Sequence, residues 1–128
     1  MSAPTVNKGR AAALVFAGGC IGTLMRASLS IALPSPPDAW PWATFGVNLA
    51  GAYLLGRVLR MVRRGELDTA RQLFLATGVA GALTTFSALA TEVIRLAVES
   101  DPSVAVLYAG SSIVLGLATA AAGVGREP

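Results

Sequence analysis

Gly78-Val79-Ala80-Gly81-Ala82-Leu83-Thr84-Thr85-Phe86-Ser87 sits inside an uncharged run that extends from Leu73 to Thr91 and continues past Glu92 and Arg95 to Val98. At about 1.5 Å of rise per residue, a run of this length crosses a hydrocarbon core of about 30 Å. A glycine followed by hydroxyl residues at bilayer depth allows two readings. In the first, the helix breaks near mid-membrane. Lipid tolerates this only where the backbone is buried in protein or lines a polar cavity, and the freed carbonyls can bind a hard cation such as Na⁺. In the second, the helix is continuous and its Thr and Ser side chains bond back to the preceding turn.

The rest of the chain is equally apolar. Of 128 residues, 54% are hydrophobic and 13% charged, a balance that makes lipid the expected solvent. Gly18 with Gly22, Ala52 with Gly56, and Ser112 with Gly116 and Ala120 recur at the four-residue spacing that lets helix backbones approach closely. The expected fold is all-α and integral to the membrane. It is a single domain over residues 1–128 with four transmembrane helices, at approximately 11–33, 39–58, 73–98 and 103–125. Pro34 to Pro37, the charged stretch from Arg57 to Arg71, and Glu99-Ser100-Asp101-Pro102 separate them. Trp40 and Trp42 suit a membrane interface. Lys8 and Arg10 ahead of the first apolar run resemble the start of a signal peptide, but the run continues through Arg26 without a small-residue cleavage site after a short core.

An even number of spans puts both termini and the middle loop on one side. Lys8, Arg10, Arg57, Arg60, Arg63, Arg64, Arg71 and Arg126 gather there, and the positive-inside rule makes that side the cytoplasmic face of the plasma (cell inner) membrane. The same distribution accounts for the net charge of +3 without a nucleic-acid partner. Cys20 is the only cysteine and there is no histidine. No nucleophile, base and orienting group combine, so the chain is not expected to be an enzyme.

A charged or amide side chain in a bilayer costs about 2.5–3.5 kcal/mol unless it finds a partner or water. Arg26, two thirds along the first span, either snorkels to the interface or serves as a vestibule cation. Asn48 either bonds a neighbouring helix or offers its N–H donors to an anion. Tyr108 and Ser112 share a helix face, next to Ser111, so a strip of hydroxyls can border a pore, unless Tyr108 is an ordinary interfacial aromatic. Glu92 is spaced to pair with Arg95 one turn later.

Three stretches carry a resemblance. Gly18-Gly19-Cys20-Ile21-Gly22-Thr23-Leu24-Met25-Arg26, then Thr44-Phe45-Gly46-Val47-Asn48-Leu49-Ala50-Gly51-Ala52-Tyr53-Leu54-Leu55-Gly56, then 78–87 with Glu92 following, resemble the first, second and third helices of the Fluc (CrcB) family of fluoride channels. The resemblance implies an inverted, antiparallel dimer with two fluoride pores, exporting fluoride passively by electrodiffusion and relieving its toxicity. It implies a structural Na⁺ at the dimer centre, held by backbone carbonyls of Gly81 and Thr84 from both subunits. It also implies a fluoride pore of Asn48, Thr85, Phe86 (by its ring edge), Ser87, Tyr108 and Ser112, with Arg26 in the vestibule.

The chain also departs from the family pattern. A second phenylalanine is common three residues after the position of Phe86, where this chain has Leu89, and Gly116 and Ala120 thin the fourth-helix track. Members with little charge bias insert both ways, whereas this chain's cations favour one orientation. The expected partner is therefore a second Fluc-type subunit in the opposite orientation, either this chain itself or a paralogue. Two alternative functions stand beside this one: a non-conducting or half-functional partner subunit of a heterodimeric fluoride channel, and a small multidrug transporter subunit. The latter needs a membrane-embedded carboxylate in the first helix, where this chain has Arg26.

Overall fold

A computed structural model describes residues 6–125; Arg126, counted above among the cations of one face, lies outside them. Helix α1 (Lys8–Ala32) starts where the Asn7 side chain accepts from the amides of Gly9 and Arg10, and it stops ahead of Pro34. Helix α2 (Trp42–Arg63) follows Pro41 and is turned back by Gly65, whose φ of 69° suits a residue without Cβ.

The stretch from 69 to 99 is built in pieces. Helix α3 (Thr69–Gln72) is capped by Asp68, which accepts from the Arg71 amide. It runs into a π-helical segment (Leu73–Ala80) and then α4 (Gly81–Leu83). Thr84 and Thr85 then leave the helix, with ψ of 151° and 117°. Helix α5 (Phe86–Glu99) restarts on the Thr85 hydroxyl, which accepts from the Ala88 amide. Of the two readings of this stretch, the chain adopts the broken helix. The break falls at Thr84–Thr85, while Gly81 keeps helical angles. Helix α6 (Pro102–Val124) is capped by Asp101, with proline in its first turn, and ends at Gly125 at φ 70°.

Close backbone approach sets the packing. Helix α1 lies against residues 73–83, α2 lies against α6, and α5 leans on α6. A Cβ on Gly18 or Gly22 would collide with the carbonyl oxygens of Phe74 and Val79, and one on Gly56 or Gly123 with those of Ala120 and Tyr53. Backbone oxygens cannot yield as side chains do, so these four glycines determine how near the helices come.

The buried cluster is small: Leu96, Ala105 and Tyr108, with Trp40, Phe45, Leu89 and Val93 against it. Phe16, Ile31, Val98 and Val106 face outward. Three helical stretches are long and apolar enough to cross a membrane: Lys8–Ala32, Thr69–Glu99 counted through the break, and Pro102–Val124. Helix α2, 22 residues long, carries Asn48, Arg57, Arg60 and Arg63 and is not among them.

Candidate functional site

The break is held open by a side chain from another helix. Asn48 accepts from the Thr85 amide through Oδ1 at 2.8 Å and donates through Nδ2 to the Thr85 carbonyl at 3.2 Å. In an unbroken helix the Thr85 amide would bond the Gly81 carbonyl; here the Asn48 carboxamide replaces that bond, so Thr85 can be extended. One Nδ2 hydrogen remains for a further acceptor. Thr85 and Ser87 hydroxyls lie 3.3 Å apart, just past the break.

One helical turn before Asn48 on α2, Thr44 donates to Glu92 Oε1 at 2.6 Å. From α6, Tyr108 donates to Glu92 Oε2, also at 2.6 Å. Both carboxylate oxygens are therefore occupied by hydroxyls, and no ion pair joins Glu92 to Arg95 among the described residues. The expected one-turn pair is thus replaced by short charge-assisted bonds to two other helices. Tyr108 has 0% exposure, and Trp40 meets its ring edge-on with centroids 5.1 Å apart, so it is a core residue carrying a polar tip.

Arg26 does not extend free of the protein: its Nε donates to the Ala82 carbonyl at 3.2 Å, in the last turn before the break. It lines an open groove of about 400 Å³ with Thr85, Ser87, Thr91, Glu92 and Arg95. Ser112 Oγ is buried without a hydrogen-bond partner among the described residues, one turn past Tyr108. Phe86 is 80% exposed and is not among the groove-lining residues. Thr44 and Glu92 were missing from the sequence-derived site. The available signal was that Thr44 lies four residues before Asn48, on the same face of one helix.

The break also frees carbonyls. The Ala80 carbonyl accepts from the Thr84 amide and hydroxyl, and that of Ala82 from Arg26. Those of Gly81 and Thr84 have no donor among the described residues outside the regular helical bonds, and a Cβ on Gly81 would find its nearest neighbour 3.6 Å away. Two such oxygens fit a hard cation in kind. They are too few to hold one alone, so a second copy or water would have to complete the set.

Fold and site together define an all-helical, multi-pass membrane protein with a polar groove lined by hydroxyls, a carboxylate and two arginines beside the helix break. A family model described as "CrcB-like protein, Camphor Resistance (CrcB)" matches residues 13–124. "Fluoride-specific ion channel FluC 1" of Mycobacterium bovis is 44% identical over 109 residues, covering 84% of this chain and 83% of that protein. "Fluoride-specific ion channel FluC" of Thermus thermophilus is 41% identical over 105 residues, covering 81% and 84%. "Fluoride-specific ion channel FluC 2" of Leifsonia xyli is 39% identical over 127 residues, covering 96% and 87%. The chain belongs to the CrcB family, a family of fluoride ion channels and not of enzymes.

Proposed function

We propose that this protein is a subunit of a fluoride-selective channel that lets fluoride leave the cytoplasm down its electrochemical gradient. The observation carrying the reading is the Asn48 bridge to Thr85, which supports an extended, hydroxyl-bearing backbone where a membrane helix would otherwise close it. Fluoride is small and strongly hydrated, so a pore has to offer replacement donors without trapping the ion. The spare Asn48 N–H, the hydroxyl hydrogen left over from the Thr85–Ser87 pair, and Ser112 are donors of that kind, whereas the Thr44 and Tyr108 hydroxyls are committed to Glu92. Phe86, exposed on this subunit, would present its positive ring edge to an ion in a pore completed by a second subunit. Arg26 would act as the vestibule cation.

The same proposal has α2 as a fourth span, both termini in the cytoplasm, and two subunits packed in opposite orientation. The unclaimed carbonyls of Gly81 and Thr84, brought together from both copies, would hold Na⁺. A cation there supplies positive potential and ties the broken helices together.

The test is fluoride efflux from liposomes containing the purified chain, followed by an ion-selective electrode with chloride efflux for comparison and Asn48→Asp alongside. Fast fluoride flux with chloride retained, and lost in Asn48→Asp, is the expected result. Silence that is reversed by adding an oppositely oriented family member would make the chain an obligate heterodimer subunit. Leu89, in the place of the family's second phenylalanine, motivates that arm. Continued silence from well-folded protein with the partner present would sink the channel reading.

A further inference from the structure

A groove of about 410 Å³ opens between the start of α1 and the start of α3, away from the helix break, and the channel reading makes no use of it. Helix α1 and residues 73–83 run side by side in the same direction, since Gly18 faces the Phe74 carbonyl and Gly22 that of Val79. Their first turns are therefore level. That register brings Arg10 of α1 and Arg71 of α3 to one groove, with Asp68 beside them, although the two arginines are distant in sequence. The positive-inside rule accounts for cations at this end of the chain, but not for two of them converging from different helices on one hollow.

The lining changes character one turn deeper. Leu14 follows Arg10 by four residues, and Phe74 and Leu75 follow Arg71 by three and four, so each arginine stands over apolar side chains of its own helix face. A helical turn rises about 5.4 Å, so the charged end gives way to an apolar one over a depth comparable to that between a lipid's phosphate and its acyl chains. Neither guanidinium is firmly held. The ion pair of Arg71 is a contact from Nε to Asp68 at 4.0 Å between exposed side chains, the kind that water and salt weaken most. Arg10 has no ion pair among the described residues. It stands in the first turn of α1, which holds no acidic residue, so the helix dipole adds to its attraction for an anion. Asp68 is engaged in capping, its Oδ1 accepting from the Arg71 amide at 2.8 Å.

We infer that this groove binds the phosphate of an anionic phospholipid, with Arg10 and Arg71 on the phosphate oxygens and Leu14, Phe74 and Leu75 against the upper part of an acyl chain. A guanidinium offers a planar fork of donors that matches phosphate oxygens. Free phosphate would use only the charged end of the groove, whereas a lipid uses both ends. A zwitterionic lipid would carry an ammonium toward two arginines. A glycerol headgroup instead brings hydroxyls that can donate to Asp68 Oδ2, so phosphatidylglycerol is the occupant that fits the whole lining. Bound there, it would clamp the start of α1 to the start of the broken span. The inference goes beyond the channel reading and does not depend on it.

The test uses the full-length protein in a non-ionic detergent. It is heated with increasing dioctanoyl phosphatidylglycerol, dioctanoyl phosphatidylcholine, the chain-free headgroup glycerophosphoglycerol, or inorganic phosphate, all at equal ionic strength. Phosphatidylglycerol should raise the wild-type unfolding midpoint, and the other three should raise it far less. Arg10→Gln and Arg71→Gln should each weaken the apparent affinity for phosphatidylglycerol about tenfold, as expected for losing hydrogen bonds between charged groups. Arg63→Gln removes an exposed cation of α2 that does not line the groove, and should leave that affinity within about twofold. Equal shifts with phosphatidylglycerol and phosphatidylcholine overturn the site. An equal loss of affinity in Arg63→Gln also overturns it, by showing diffuse attraction to positive charge. A shift as large with the chain-free headgroup or inorganic phosphate would make the groove a soluble-anion site and overturn the lipid assignment. If one arginine variant does not fold, the other decides, because unchanged affinity there also overturns the site.

Discussion

Asn48 was legible in the sequence as an expensive amide in an apolar run, but its partner was not. Nothing local links residue 48 to residue 85, and only packing α2 beside the break brings the two together. Replacing the carboxamide by carboxylate in Asn48→Asp removes the donor to the Thr85 carbonyl and sets two oxygens against each other. Losing an interaction worth about 1.5–3 kcal/mol in a conducting state corresponds to about 10- to 100-fold in flux, measurable by fluoride electrode. Glu92 departs from its local spacing for a similar reason: that spacing favours Arg95, but two hydroxyls from other helices reach it at 2.6 Å. Tyr108→Phe would leave one carboxylate oxygen without its donor. It should destabilise the protein by about 1–3 kcal/mol, read as a lower unfolding midpoint in detergent.

At the level of elements, the four-residue glycine spacing told which helix faces come close, though not which helices meet. Gly18→Ala and Gly22→Ala should destabilise by about 1–3 kcal/mol, because the new methyl meets backbone oxygen. Gly19→Ala, with nothing within 4 Å of its Cβ, should be neutral or slightly stabilising in the same melts. At the start of α6, the hydroxyl and amide of Ser103 hold the Asp101 carboxyl below its ordinary value of 3.8. A group depressed in the folded state stabilises fully above its unfolded value and loses that contribution as pH falls toward the folded one. The stability gap between wild type and Asp101→Asn should therefore be constant from neutral pH to about 5 and should shrink below about 4. The hydroxyl-rich run announced the break but not its position. Gly81 drew attention by its flexibility, yet it stays helical, and the turn is made where Asn48 supplies a substitute bond.

For the molecule as a whole, cations gathered at one end argue for a single orientation. Reporter fusions to the C-terminus should be active only in the cytoplasmic sense, and dual activity would remove the reason for invoking a second kind of subunit. The π-helical turns of Leu73–Ala80 left no mark that composition could reveal, since the residues suit an α-helix equally well. Their presence makes chain length itself a constraint. Adding or deleting one residue between Asp68 and Thr84 would rotate all that follows by about 100° relative to α1. Thr85 would then turn away from Asn48, and Gly22 would no longer oppose Val79. Such length changes should be tolerated far less well here than most substitutions.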